Sequence, residues 1–156
     1  MRIRILSIGE NRTPYLIEGE SVYINRLKHY CRIDMITVPG LKIPDERQAG
    51  QIIRKESDRL FKKSKPDHLA IGLDINGRSL SSDEFALQMN DWQNRSVRGV
   101  DFLVGGPLGL SGELLGRCSD RISLSKMTFP HDLARLILLE QLYRAFSILR
   151  GEKYHK

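Results

Sequence analysis

Five short apolar runs, each followed by a stretch of helical periodicity or a loop leading to one, constrain this chain more than any other feature. Arg2 to Ile8, Ile33 to Val38, His68 to Asp74, Val100 to Val104 and Arg121 to Ser125 read as strands. Between them the spacing predicts helices from about Pro14 to Tyr30 and from Asp45 to Lys63. A third opens at the capping box Ser81-x-x-Glu84, a short one starts near Ser111, and the last runs from His131 to Arg150, with Gly151 as its stop. Pro39-Gly40 ends the second strand, Pro66 follows the second helix, and Asn76-Gly77 is expected to turn the chain after the third strand. Strands that alternate with helices predict an α/β layer structure built on a largely parallel sheet. With 156 residues and no repeat or linker, residues 1–156 are expected to form one domain.

Composition narrows the functional classes. A hydrophobic share of 40% and a charged share of 28% are those of a globular protein, neither disordered nor membrane-embedded. No uncharged apolar run approaches the roughly 18 residues that span a bilayer. Met1-Arg2-Ile3-Arg4 interleaves charge with apolar residues, unlike a signal peptide, so a cytoplasmic protein without membrane attachment is expected. Cys31 and Cys118 lack CxxC spacing, which predicts two reduced, mostly buried thiols and no metal site. Lys and Arg outnumber Asp and Glu by 25 to 19, and a net charge of +6 favours a polyanionic partner through counterion release. Charge alone is weak support, since many basic proteins bind no nucleic acid. The run Lys62-Lys63-Ser64-Lys65 reads as a solvated helix end.

Three segments carry candidate chemistry. The fourth strand runs into Gly105-Gly106-Pro107-Leu108-Gly109 and then a short helix; glycines at such a switch let backbone approach a ligand closely. The spacing is neither GxGxxG nor GxxxxGK[ST], so a ligand-free tight turn is an equal reading. Next, Ser123-Leu124-Ser125-Lys126-Met127-Thr128-Phe129-Pro130-His131 passes from strand through loop into the last helix. On that helix Glu140, Arg144 and Ser147 share a face with Leu133, Leu136 and Ile137, and further apolar residues occupy other faces. One side is expected to pack on the sheet and another on a second copy of the chain, giving a homodimer. Glu140 and Arg144 have the i,i+4 spacing of an ordinary helix ion pair. The tail through Tyr154, His155 and Lys156 combines an aromatic ring, an imidazole and cations, which can stack on a base and hold phosphate, although stray charged tails are common. His29 and His68 show no ligand spacing and read as surface or structural residues.

Taken together, the glycine turn, the segment from Ser123 to His131, Glu140-Gln-Leu-Tyr-Arg-Ala-Phe146 and the closing Tyr154-His155-Lys156 resemble the ribosomal RNA large-subunit methyltransferase H family, of the SPOUT superfamily. The similarity extends upstream through Leu73-Asp74-x-x-Gly77 and Ile8-Gly9, and so covers essentially the whole chain. Two positions depart from the family pattern. Glu10 follows Gly9 where a basic residue is usual, and Leu108 stands where a polar or acidic one is usual.

The resemblance implies a SPOUT fold with a C-terminal trefoil knot, a homodimer, and S-adenosylmethionine held by Leu73, Gly106, Leu124, Ser125, Lys126, Met127, Thr128 and Phe129. It implies methylation of N3 of a pseudouridine in 23S ribosomal RNA of the assembled ribosome. Glu140 or His155 would take the proton, Arg144 with His131 and Lys156 would orient or stabilise the base, and Tyr154 would stack on or position it. A SPOUT methyltransferase acting on another RNA such as transfer RNA, or a non-catalytic ribosome-binding protein of the same fold, are the alternative expectations.

Overall fold

The computed structural model describes residues 1–42 and 45–154. Strands β1 (Arg2–Ile8), β2 (Arg32–Val38), β3 (His68–Ser79), β4 (Gly99–Val104) and β5 (Asp120–Ser123) form one sheet in the order β2-β1-β4-β3-β5, every neighbouring pair parallel. The connections are helices α1 (Pro14–Leu27), α2 (Ala49–Phe61), α3 (Ser82–Asn94) and α4 (Gly112–Arg117), and α5 (His131–Leu149) closes the described chain. All six residues of β4, the middle strand, are buried, as a parallel sheet covered on both faces requires.

Strand periodicity sorts the core into two layers. Ile3, Ile5, Val100, Phe102 and Val104 face α1, α3 and α5, meeting Leu27, Met89, Trp92, Leu138, Leu139 and Leu142. Leu6, Ile8 and Leu103 point to the opposite face, against Leu60 of α2 and Leu114 of α4. On that second face a polar group is buried. Asp101 is fully enclosed, accepts from Arg4 Nη1 at 2.9 Å and from the Lys65 amide at 2.9 Å, and pairs with His68 Nδ1 at 2.7 Å. Arg4 also donates to the Lys63 carbonyl at 2.8 Å, so the strand bottoms are tied to the end of α2. His68 is therefore a structural residue.

Local signals explain the element ends. Ser81 Oγ accepts from the Glu84 amide at 3.1 Å while Glu84 Oε2 accepts from the Ser81 amide at 2.7 Å, completing the capping box. Gly151 takes φ +66° and its amide donates to the Ile148 carbonyl at 3.0 Å, ending α5. The helix expected from Asp45 begins as a 3-10 turn, Glu46–Gln48, capped by Asp45, before α2 proper.

The expected turn at Asn76-Gly77 is corrected: β3 runs on to Ser79. Asp74 does form a local turn, accepting from the Asn76 amide at 3.2 Å, but the strand resumes after a register shift between Leu73 and Arg78 in its pairing with β5. Gly77 serves this close approach, because a Cβ there would lie 2.8 Å from backbone atoms of Arg121 and Ile122.

Cys31 and Cys118 are free and half-buried, and burial pushes each thiol up to about 11. A raised thiol pKa leaves less thiolate at any pH below it, so iodoacetamide at pH 8 should alkylate both about a hundredfold more slowly than an unperturbed thiol. The rate should then climb tenfold per pH unit until about pH 11. Mass spectrometry of timed reactions checks this, and fast labelling at pH 8 contradicts it.

Candidate active site

Parallel strands leave a crevice beyond their carboxyl ends, and here it is a cavity of about 780 Å³ above β3, β4 and β5. Its walls are residues 73–75, 104–110, 122–125 and 127–131, with Leu115 and Ala134. The glycine turn shapes the floor. Gly109 takes φ +78° and its amide donates to the Gly106 carbonyl at 2.9 Å. A Cβ on Gly105 would lie 2.4 Å from the Gly109 carbonyl carbon, so only glycine lets the strand fold back this tightly. Ser111 then caps α4, its Oγ accepting from the Leu114 amide at 3.2 Å.

Opposite the turn, the segment after β5 is held by its own hydroxyls. Ser123 Oγ donates to the Ser125 carbonyl at 2.9 Å, and Ser125 Oγ accepts from the Met127 amide at 2.9 Å. The loop then enters α5 through Pro130, which suits a helix start because it needs no amide of its own. Of the residues that the resemblance assigns to the donor, Leu73, Gly106, Leu124, Ser125, Met127, Thr128 and Phe129 line the cavity. Lys126 does not; its side chain is exposed. His131 is on the cavity wall, at the start of α5. Among the described residues no group of three His, Cys, Asp or Glu side chains could hold a metal ion.

The remaining candidates gather elsewhere, on the surface where α5, α1 and the tail meet. Glu140 Oε1 accepts from Arg144 Nε at 2.9 Å and Nη2 at 2.6 Å, and from the Tyr154 hydroxyl at 3.2 Å. Its Oε2 accepts from Gln141 Nε2 at 2.6 Å. Since Tyr154 donates to Glu140, it accepts from the Tyr23 hydroxyl, 3.2 Å away. The Tyr154 ring packs edge-on to Tyr143 at 4.7 Å, and the Arg144 guanidinium lies 4.9 Å from its centroid. Glu140 raises the pKa of Arg144. Burial, then the bond with Tyr23 and the charge of Glu140, raise the Tyr154 phenol above its ordinary value, so at neutral pH it is a hydrogen-bond donor. Tyr30, pushed up to about 12 by burial and by Glu152, fastens the tail through its 2.5 Å bond to that carboxylate. His155 and Lys156 lie outside the described residues.

One chain therefore keeps the two groups of candidates apart. None of Glu140, Arg144 and Tyr154 is on the cavity wall, which reaches only to Ala134 along α5. At 1.5 Å rise per residue, Glu140 is about 14 Å along the helix from His131, and Arg144 about 20 Å.

Some residues that organise the site escaped sequence reasoning. Arg135, 4% exposed, donates to Glu20 Oε1 at 2.6 Å, Ser7 Oγ at 3.0 Å and the Gly9 carbonyl at 3.3 Å, binding α5 to α1 and to the end of β1. Its signal was an arginine inside the apolar stretch Leu133-Ala-Arg-Leu-Ile-Leu-Leu139, which demands a buried partner. Tyr23 and Tyr143, given no role by the sequence, build the seat for Tyr154.

Curated proteins called "Ribosomal RNA large subunit methyltransferase H" align over 100% of both chains: 42% identical in Carboxydothermus hydrogenoformans, 40% in Desulfotalea psychrophila and 42% in Bacillus cereus. Among solved structures, a probable methylase family protein from Haemophilus influenzae superposes with TM-score 0.56 at 17% identity, covering 99% of this chain and 70% of that one. A probable methyltransferase from Bordetella pertussis gives 0.53 at 15% identity, covering 92% and 94%. These two likenesses establish the fold. Residues 1–155 match the family described as "Predicted SPOUT methyltransferase", and with relatives of this identity over its whole length, the chain belongs to the SPOUT methyltransferase family.

Proposed function

We propose that this protein is an S-adenosylmethionine-dependent methyltransferase acting on N3 of a pseudouridine in 23S ribosomal RNA of the assembled ribosome. The observation that carries this reading is that seven positions assigned to the donor by resemblance converge on one cavity. The relatives' shared name supplies the substrate class. The cavity suits the donor, with Leu73, Leu124 and Phe129 offering half-buried apolar surface to an adenine ring and the side-chain-free floor at Gly105 and Gly106 offering backbone polar groups. The loop carrying residues 124–129 is read as part of a C-terminal trefoil knot, in keeping with the family, and residues 1–156 as one cytoplasmic domain.

When bound, the donor supplies a sulfonium-activated methyl group. The acceptor nitrogen lies between two carbonyls and must lose its proton to become nucleophilic, so a cation that stabilises the resulting anion lowers the barrier. Arg144 fills that role, with Tyr154 positioning the base and Glu140 or His155 accepting the proton. Glu140 holds both partners in place. Because these residues stand apart from the cavity of their own chain, the working site joins the cavity of one subunit to the Glu140–Arg144–Tyr154 cluster of the other in a homodimer. Aligning the two reacting atoms is then the dimer's main contribution. The net charge of +6 brings the particle in with a salt-sensitive encounter.

Calorimetry should show S-adenosylmethionine binding to the wild type and binding at least tenfold weaker in Gly105→Ala, whose methyl would collide with Gly109. Equal affinities would remove the glycine turn from the donor site, and no binding by the wild type would end the enzymatic reading.

Arg144→Ala should keep donor affinity within about threefold of wild type while slowing single-turnover methylation of ribosomes roughly a hundredfold. A wild-type rate would exclude Arg144 from the chemistry. Methylation of free transfer RNA in place of ribosomes would favour a different RNA substrate.

A further inference from the structure

We propose that Glu56 and Ser57, neighbours on α2 and outside the cavity wall, are positioning residues that set donor affinity by bracing the two ends of the glycine turn; this rests on reading the cavity as the donor site. The turn has little to hold itself with. Gly105, Gly106 and Gly109 have no side chains, Pro107 has no amide hydrogen, and the turn's described internal bond is Gly109 to Gly106. Its position must be imposed from outside.

Both α2 residues are buried, at 3% and 2% exposure. Ser57 Oγ accepts from the Ser111 amide at 2.9 Å, which fixes the far end of the turn where α4 begins. Glu56 Oε1 accepts from the Leu41 amide at 2.7 Å, in the loop after β2. Glu56 Oε2 lies 3.5 Å from where a Gly106 Cβ would be, so the carboxylate fills the space behind the near end of the turn, beside Ile8 at the tip of β1. Successive residues on a helix point about 100° apart, which is how one turn of α2 reaches both ends.

A buried carboxylate is an expensive way to fill space, and apolar groups of similar volume often replace such charges without loss of stability. What an apolar group cannot do is hold the Leu41 amide while standing against Gly106. A loop fixed before the ligand arrives binds more tightly than one that must be ordered by it. The brace therefore acts on affinity, through the turn, and not on the reacting atoms.

The test uses the full-length protein, with S-adenosylmethionine and S-adenosylhomocysteine as calorimetric probes and ligand-free thermal melting alongside. Ser57→Ala and Glu56→Leu should each bind both probes roughly tenfold more weakly per folded molecule, as loss of a buried hydrogen bond that holds the loop predicts. Glu56→Gln keeps an acceptor for the Leu41 amide and should bind within about threefold of wild type. In methylation assays the weakening should appear in KM for the donor with kcat little changed. Should Glu56→Leu fail to fold, Ser57→Ala, which removes a single hydroxyl, decides the matter. Affinity within threefold of wild type in Ser57→Ala, whatever its melting temperature, overturns the proposal, and a Gln variant as weak as Leu overturns its hydrogen-bonding basis. Absence of binding by the wild type would instead sink the underlying functional reading.

Discussion

The backbone of Gly105 lies directly against the backbone of Gly109, with no room for a Cβ between them, and the rest of the site depends on this contact. β4 is the central, wholly buried strand, and a chain leaving its end would ordinarily continue outward. Because it doubles back within five residues, the space above β3, β4 and β5 is left open as a cavity and is lined by backbone as well as by side chains. The bracing from α2 and the packing of Ile8 against Gly106 hold that geometry from behind. The buried Arg4–Asp101–His68 group fastens the opposite, amino-terminal ends of the same strands. The sheet is thus rigid where it carries no chemistry and open where the cavity stands.

Helix α5 links the cavity to the second group of polar residues. Its first turn closes one wall at His131 and Ala134, and its middle carries Glu140 and Arg144, where Tyr154 returns to dock among Tyr23 and Tyr143. Arg135, between these two stations, anchors the helix to α1 and β1. A helix is a stiff ruler, so the two stations keep a fixed separation, about 9 Å along the axis from Ala134 to Glu140. On the proposed function, a second subunit closes this gap, its Arg144 meeting the acceptor base at the cavity of the first.

Much of this was legible in the residues, and what was not had a physical reason. The alternation of strands and helices, the Ser81–Glu84 box and the Gly151 stop depend on neighbours within one turn, and all appear where the spacing put them. Gly77 misled because a glycine needed for close approach by β5, more than forty residues away, looks the same in sequence as one needed for a turn. The partnership of Arg4, Asp101 and His68 spans three strands and could not be paired from spacing, although an aspartate inside an apolar strand signalled that a partner must exist. Glu140 and Arg144 were visible as an i,i+4 pair, while the tyrosines that seat Tyr154 depend on how α1 packs on α5. The distance between the cavity and the Glu140 cluster is a property of the folded helix, and no motif stated it.

The most direct measurement is complementation between two impaired variants. A subunit carrying Gly105→Ala, with a damaged cavity, is mixed and re-annealed with one carrying Arg144→Ala, and methylation of ribosomes is assayed at a donor concentration that fills the wild-type cavity but leaves the Gly105→Ala cavity largely empty. If the site is shared, each mixed dimer owns one intact cavity facing one intact arginine, and activity should return to about a quarter of the wild-type rate per chain, on statistical pairing of the subunits. If each chain holds its complete site alone, both subunits stay damaged in every combination, and a mixture as inactive as its separate components contradicts the account.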